Sequence, residues 1–325
     1  MGEWASQKTL IGGLRASATC CMLPRVCLAH LAIEDWILSI GYWTSAAVLL
    51  LSFAPCHLLG GTAEEGDARE FRFAVYGGSE GSGDEVRGVV AQMARRRPEL
   101  VAHAGGLLSG NSVSDWRTFG EIAEPLLSLC PFYACRSRGQ PRPFFQSRNG
   151  SPEPPRRGPT YYSLDFRGAH FVFLDTELRA DKNDPQTRWI ADDLAAAGGK
   201  PVFVFTHRAV FGAAERYVMG TADTWWHPIF VRHKVRVVFS GARHLYHRLN
   251  QDGVMYVITG GGGGPLDPVM ARRQVTAGDV AATFNHFVEV AVSAGEIRCR
   301  AIDLEGKTRD EFAVPAAGEL PAASR

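Results

Sequence analysis

The stretch VRVVFSGARHLYHRLNQDGVMYVITGGGGGPL, which runs from Val235 to Leu266, decides the fold of this chain. Its residues 236–239 are mostly β-branched or apolar, as in a buried strand, and Gly241 lets the backbone turn sharply after them. Asp252 and Gly253 predict a hairpin turn between two further strands, the first of which alternates in polarity. Side chains that follow Gly241 are therefore expected at a strand end, which is where open α/β sheets carry their functional residues.

Strands and helices alternate along the rest of the chain. Apolar residues at helical spacing predict amphipathic helices, the first capped by Asp84 and a later one started by Asp184 and Pro185. The last three strands are expected to close the second of two sheets. The other predicted strands are Phe71–Tyr76, Leu100–His103, Phe132–Cys135, Tyr161–Asp165, His170–Asp175 and Pro201–Thr206, and the last three are Phe287–Val292, Glu296–Asp303 and Arg309–Val314.

Length and composition suit one α/β domain. The chain has 325 residues, 46% of them hydrophobic, so it can bury a large core. The formal net charge is +1, which gives no global reason to expect binding to nucleic acid. We predict an N-terminal extension (1–35), a hydrophobic segment (36–59), a linker (60–70), the α/β domain (71–314) and a disordered tail (315–325).

The hydrophobic segment is long enough to span a membrane. No formally charged residue lies between Trp36 and Cys56, and a helix of that length spans roughly the 30 Å hydrocarbon core. The excess of basic residues before it places the N-terminus in the cytoplasm and the domain outside. One interpretation is an uncleaved signal anchor; the other is a cleaved secretory signal centred on residues 46–54. Both predict an exported or membrane-anchored domain.

Only three of the seven cysteines fall in the predicted domain, and none forms a zinc-type pair. If the domain is exported, Cys130 and Cys135 can form a small disulfide loop. The alternative is that both are buried free thiols.

Several short motifs lie at the predicted strand ends: Gly77-Gly78, Gly105-Gly106-Leu107, Ser137-Arg138-Gly139-Gln140, Thr206-His207 and Gly241-Ala242-Arg243-His244. In order and spacing they resemble the motifs of the calcineurin-like metallophosphoesterases, in particular the branch similar to purple acid phosphatases. The resemblance extends from about Phe71 to Asp303. It implies a four-layer α/β/β/α sandwich with two mixed β-sheets, preceded here by the hydrophobic segment.

The resemblance also implies a dinuclear metal centre, but most of its ligand positions are substituted. Gly78 and Gly106 stand where the family has metal-binding aspartates, and Arg138 stands where it has a metal-binding asparagine. Gly139 replaces the histidine that assists the leaving group, and Ala242 replaces the first histidine of the Gly-His-x-His motif. Only two family histidines, His207 and His244, remain.

Because several ligands are missing, the sequence predicts that the dinuclear centre is lost and the protein is a pseudophosphatase. The alternative is an active phosphoesterase in which Glu80, His207 and His244 hold one divalent metal. The expected cofactor is therefore none, or at most one divalent metal. Restoring the family residues at positions 78, 106, 138, 139 and 242 together is expected to recover metal binding if the backbone is retained.

A basic, proline-rich loop spans residues 136–158. Arg136, Arg138 and Arg142 are candidates for binding an anion, because guanidinium groups bind phosphate and sulfate bidentately without a metal. The loop then predicts a phosphorylated or otherwise anionic partner. The alternative is that the loop is only a solvated lid.

Overall fold

A computed structural model describes residues 70–81, 83–147, 159–212, 221–269 and 278–318, all within the unit Gly61–Arg325. The predicted extension, the hydrophobic segment and nearly all of the linker lie outside these residues, as does most of the predicted tail. Among the residues that the structure describes, no helix is long and apolar enough to cross a membrane.

Within the part of the chain that the structure describes, seven strands form the first sheet. Its three central parallel strands are joined on one side by an antiparallel run from the C-terminus. In spatial order the strands are β14 (Thr308–Pro315), β13 (Glu296–Asp303), β12 (His286–Val292), β1 (Phe71–Tyr76), β2 (Leu100–His103), β3 (Phe132–Ala134) and β4 (Phe145–Gln146).

The prediction that the C-terminal strands close the second sheet is wrong. Strand β12 pairs antiparallel with β1, so that Phe71 lies opposite Val292, and the C-terminal strands therefore extend the first sheet. Alternation of polar and apolar residues identifies a strand and its buried face, but does not specify which sheet edge it joins.

The second sheet also has seven strands, of which β6, β7, β8 and β10 run parallel. In spatial order these are β11 (Val280–Ala282), β9 (Tyr246–Gln251), β10 (Val254–Thr259), β8 (Val237–Ser240), β7 (Val202–Thr206), β6 (Ala169–Phe173) and β5 (Tyr162–Phe166). The predicted hairpin joins β9 to β10, and both Asp252 and Gly253 have positive φ, as a type I′ turn requires.

The two sheets pack face to face, and helices cover their outer faces. Alternate residues of β1 show this: Phe73 packs between the sheets, 4.9 Å from the Phe203 ring, whereas Ala74 packs under the helices. The first sheet is covered by α1 (Asp84–Arg95) and α2 (Val113–Leu127), and the second by α3 (Pro185–Ala196), α4 (Ala222–Trp225) and α5 (His227–Arg232). The predicted four-layer α/β/β/α sandwich is confirmed.

Three local features refine the sequence analysis. The N-cap of α1 is Gly83, without a side-chain hydrogen bond, so Asp84 is the first helical residue and not the cap. Ordered structure continues past the predicted domain end, because the peptide N–H of the buried residue Ala316 bonds the Gly295 carbonyl. Cys130 and Cys135 are buried free thiols.

Candidate functional site

The C-terminal ends of parallel strands from both sheets meet at one edge of the sandwich, as expected for α/β sheets. Gly78 follows β1, Gly106 follows β2, His207 follows β7 and His244 follows β8. The glycine run after β10 joins the two sheets here: the amide of Gly264 donates to the Gly78 carbonyl at 2.9 Å. The fold therefore brings together the strand-end positions that the sequence singled out.

Gly78 and Gly106 are held in the left-handed backbone region, which residues other than glycine adopt only at a cost. Their φ angles are +63° and +73°. A Cβ on Gly78 would lie 2.3 Å from the backbone oxygen of Gly260, and one on Gly106 would lie 2.8 Å from the Glu80 carboxylate. The loop backbone at Gly260 thus occupies the space that a side chain at position 78 would need, and the Glu80 side chain occupies that space at position 106.

Glu80 and His244 form an ion pair at this edge. The His244 Nδ1–H donates to the carbonyl of Pro265 at 2.8 Å, and Nε2 lies 3.0 Å from a carboxylate oxygen of Glu80. Burial disfavours the imidazolium, but the hydrogen bond and charge of Glu80 outweigh it, so the pKa of His244 is raised. The imidazolium form of His244 is therefore favoured, and in that form the ring balances the charge of the Glu80 carboxylate.

His207 lies beside the same loops, but its ring has a different carboxylate partner. A Cβ on Gly105 would lie 2.7 Å from the Cβ of His207, which places the histidine against the β2 loop. Its buried Nδ1 is 3.8 Å from Glu177, too far for a hydrogen bond. Interaction with His207 nevertheless outweighs burial and lowers the pKa of Glu177.

These side chains do not fit the dinuclear centre that the fold family implies. Such a centre needs bridging and terminal carboxylates, and positions 78 and 106 offer only backbone. Among the residues that the structure describes, no three His, Cys, Asp or Glu side chains are arranged to hold a metal ion. Whether Glu80, His207 and His244 bind a single metal stays a prediction.

The Arg136 guanidinium is paired with groups of the protein itself, in contrast to its predicted anion-binding role. Its Nη1 lies 3.1 and 2.9 Å from the two carboxylate oxygens of Asp175, and its Nε donates to the Gln140 carbonyl at 2.7 Å. Asp175 is fully buried and also accepts from the Thr160 hydroxyl and, at 2.9 Å, from the Glu177 amide. Because Arg136 follows β3 and Asp175 follows β6, the pair ties the two sheets together.

The remaining substituted positions are Arg138, Gly139 and Ala242. Ser137 fills the loop after β3 by accepting a 2.6 Å hydrogen bond from the Gly106 amide. Arg138 and Gly139 are exposed, and a Cβ on Gly139 would have no neighbour within 4 Å among the described residues. Ala242 contributes its amide, which donates to the His207 carbonyl at 2.7 Å.

Sequence reasoning missed His103, the fully buried last residue of β2. Its Nδ1 accepts from the Gly105 amide at 3.1 Å, so its Nε2 carries the proton and donates to the Ser79 hydroxyl at 2.9 Å. Burial, aided by the nearby His207, lowers the pKa of His103 to about 3. A histidine in this tautomer and environment cannot activate Ser79 as a nucleophile, so the pair supports the two loops instead.

Asp175 and Glu177 were also missed. Asp175 follows the apolar run of β6. A polar residue directly after a buried strand is a sequence signal for a functional position, and this signal could have identified Asp175. Arg138, Arg179 and Arg208, here called the basic rim, each lie within two residues of a site residue along the chain.

Comparisons with known proteins identify relatives of this fold. No profile of a known protein family matches the chain. Purple acid phosphatase 1 of Ipomoea batatas is 26% identical over 183 residues, which cover 50% of this chain and 39% of that protein. Phosphoenolpyruvate phosphatase of Allium cepa is 28% identical over 169 residues, or 49% of this chain and 33% of that protein. The chain thus matches well under half the length of these relatives.

Two solved structures share the fold at low sequence identity. Purple acid phosphatase PPD1 from yellow lupin (Lupinus luteus) seeds aligns with a TM-score of 0.65 and 16% identity, over 76% of this chain and 54% of that one. GAP50, described as the anchor in the inner membrane complex of Plasmodium, aligns with a TM-score of 0.60 and 11% identity, over 77% and 90% of the two chains. These similarities concern the fold.

Proposed function

Since this chain belongs to the calcineurin-like metallophosphoesterase superfamily, we propose that it is a pseudophosphatase, which keeps the fold of the superfamily but has lost the dinuclear metal centre. It acts by binding an anionic partner, not by hydrolysis. The observation that carries this proposal is the backbone at Gly78 and Gly106. Both glycines stand where the superfamily has metal-binding aspartates, and both have positive φ; a Cβ on Gly78 would meet the backbone oxygen of Gly260, and one on Gly106 would meet the Glu80 carboxylate.

The basic rim supports an anionic partner. Arg138 and Arg179 are exposed and Arg208 is half-buried, so the edge presents guanidinium groups to solvent. Guanidinium groups bind phosphate, sulfate and carboxylate groups bidentately. A protein of the same fold is described as an anchor, which is a precedent for a role in binding. From the hydrophobic segment 36–59 we also propose that the domain lies outside the cytoplasm.

Metal content of the purified full-length chain tests the loss of the centre. We expect far less than one equivalent of zinc, iron or manganese after elemental analysis, because the first aspartate positions are glycine and Glu80 is paired with His244. Turnover of an aryl phosphate ester should not exceed that of the matched variant His244→Gln.

Two outcomes contradict this expectation. Two metals per chain together with turnover would overturn the pseudophosphatase proposal. A single equivalent that disappears in both Glu80→Gln and His244→Gln would establish the mononuclear alternative in its place.

Thermal unfolding with inorganic phosphate or sulfate tests the basic rim. Either anion should raise the melting temperature of the full chain, and the shift should weaken as salt rises. The double variant Arg138→Ser/Arg208→Ser should lose the shift, whereas Arg117→Ser, at an exposed position on α2, should retain it. A shift that persists in the double variant would place the anion elsewhere. Arg136 is left intact because it pairs with the buried Asp175.

A further inference from the structure

His170 lies between two carboxylates at the start of β6, at the other end of that strand from Asp175. Its Nδ1 is 2.8 Å from an oxygen of Asp165 on β5, and its Nε2 is 2.9 Å from an oxygen of Asp193 on α3. The residue is buried. One side chain therefore joins the β5–β6 hairpin to α3, and neither the proposed loss of metal nor the proposed anion binding uses it.

Both carboxylates are bonded at both of their oxygens. The second oxygen of Asp165 accepts from the Lys200 ammonium at 2.8 Å, and that of Asp193 accepts from the Ser163 hydroxyl at 2.6 Å. Ionised carboxylates are acceptors only, so the His170 ring must donate a proton to each of them. Only the imidazolium form has an N–H at both ring nitrogens.

The charges around the ring balance in that form. His170 and Lys200 then carry positive charges that match those of the two aspartates. On the other side of β6, the residue opposite His170 on β7 is the uncharged Val202. Arg167, in the β5–β6 turn, pairs with Glu99 instead. A neutral ring would therefore leave the cluster with an excess negative charge.

The surroundings of His170 make its charge dependent on pH in the alkaline range. Burial disfavours the imidazolium, but the hydrogen bonds and charges of Asp193 and Asp165 outweigh it, so the pKa of His170 is raised above its ordinary value of 6.5. A histidine whose pKa is raised on folding stabilises the fold fully below its ordinary pKa, and that contribution is lost as the pH rises through the raised value. The bridge is therefore expected to weaken at alkaline pH.

Helix α3 is attached at both ends of β6. Asp193 lies in its last turn, beside His170, whereas Gln186 lies in its first turn, beside the loop that follows β6. The Gln186 side chain accepts from the Asp175 amide at 2.8 Å and donates to the Asp175 carbonyl at 3.0 Å. Loss of the His170 bridge therefore removes a polar attachment at the C-terminal end of α3.

We propose that His170 is a pH-sensitive latch, which holds α3 against the β5–β6 hairpin while its ring carries both protons and weakens that contact when one proton leaves. The neutral ring has a single N–H, so one aspartate then faces a nitrogen lone pair, and repulsion opens that bond. The Asp165 side chain is 53% exposed, which gives the proton a route to water. The latch needs neither a metal nor a bound anion, so it stands or falls separately from the proposed function.

Thermal unfolding of the full chain at about pH 6 and about pH 9 tests the latch. Between these two conditions, the melting temperature of the wild type should fall by about 3 °C more than that of His170→Gln, which does not titrate and keeps a donor for one aspartate. The matched control His233→Gln removes a half-buried histidine whose pKa is lowered, so it should show the same fall as the wild type. Amide exchange should show about a tenfold loss of protection in the last turns of α3 for the wild type, and no such loss for His170→Gln.

An NMR titration of the His170 ring in the wild type supplies a second measurement, which does not require that His170→Gln folds. Its midpoint should lie above 6.5, and the exposed substitution Asp165→Asn should lower that midpoint and so identify the resonance. Two results would overturn the proposal. One is an equal dependence of the melting temperature on pH in the wild type and in His170→Gln, and the other is a wild-type midpoint at or below 6.5.

Discussion

Aspartate at position 78 is expected to destabilise the domain strongly and not to restore metal binding. A side chain there pays about 1–2 kcal/mol for the left-handed backbone conformation. It must also displace the backbone oxygen of Gly260, which would lie 2.3 Å from the new Cβ, and overpacking of this kind costs a further 1–3 kcal/mol, roughly. We therefore expect Gly78→Asp to lower the free energy of unfolding of the full chain by about 3 kcal/mol or more.

Gly139 provides a matched control. Its φ is +81°, close to that of Gly78, but a Cβ there meets nothing within 4 Å in the described part of the chain. Gly139→Asp should therefore cost only the backbone strain, about 1 kcal/mol. Chemical denaturation of the two variants separates strain from steric conflict. If both unfold at the same denaturant concentration, the backbone around Gly78 is more open than the structure shows.

The same geometry changes the outcome expected when the family residues at positions 78, 106, 138, 139 and 242 are restored together. The sequence suggested that aspartates at positions 78 and 106 would recover a metal pair, provided that the backbone was retained. The backbone has closed instead, and the Glu80 carboxylate occupies the space beside Gly106. The combined variant is expected to unfold before it binds metal.

Arg136→Met is the second substitution with a large expected effect. It leaves the fully buried carboxylate of Asp175 without its cation, and breaking a buried ion pair costs about 3–5 kcal/mol. We expect the lower end, about 3 kcal/mol, because the Thr160 hydroxyl and the Glu177 amide still donate to Asp175. The loss is measured as the free energy of unfolding of the full chain in denaturant.

Two further variants identify the cause of that loss. Arg138→Met removes an exposed arginine two residues away and should change stability by less than about 0.5 kcal/mol. The double variant Arg136→Met/Asp175→Asn should cost less than the sum of its single variants, because the uncompensated charge is gone. Strict additivity would show that Arg136 stabilises the fold through packing and not through Asp175.

Strong local patterns in the sequence predicted much of the fold. Asp252-Gly253 fixed a hairpin because both residues tolerate positive φ, and the apolar runs Val202–Thr206 and Val254–Thr259 fixed buried strands. The pairing of the last three strands could not be predicted in the same way. Their alternation of polar and apolar residues fits an edge position in either sheet. They extend the first sheet because β12 pairs with the available edge of β1.

For the site, the sequence by itself determined which side chains are missing. Glycine at positions 78 and 106 and alanine at 242 carry no metal-binding group in any conformation. It also determined that the site residues lie at strand ends, because buried strands precede each of them.

Only the tertiary structure decided what replaces the metal site. Glu80 and His244 are 164 positions apart in the chain, and Arg136 and Asp175 follow strands of different sheets. No local sequence pattern can therefore predict either pair. From the sequence, Arg136 was predicted to bind an anion. The composition of a basic loop does not show which of its arginines pairs with a buried carboxylate. Local sequence specifies backbone conformation and the identity of side chains, whereas the pairing of charges depends on which strand ends the packed sheets bring within a few ångströms.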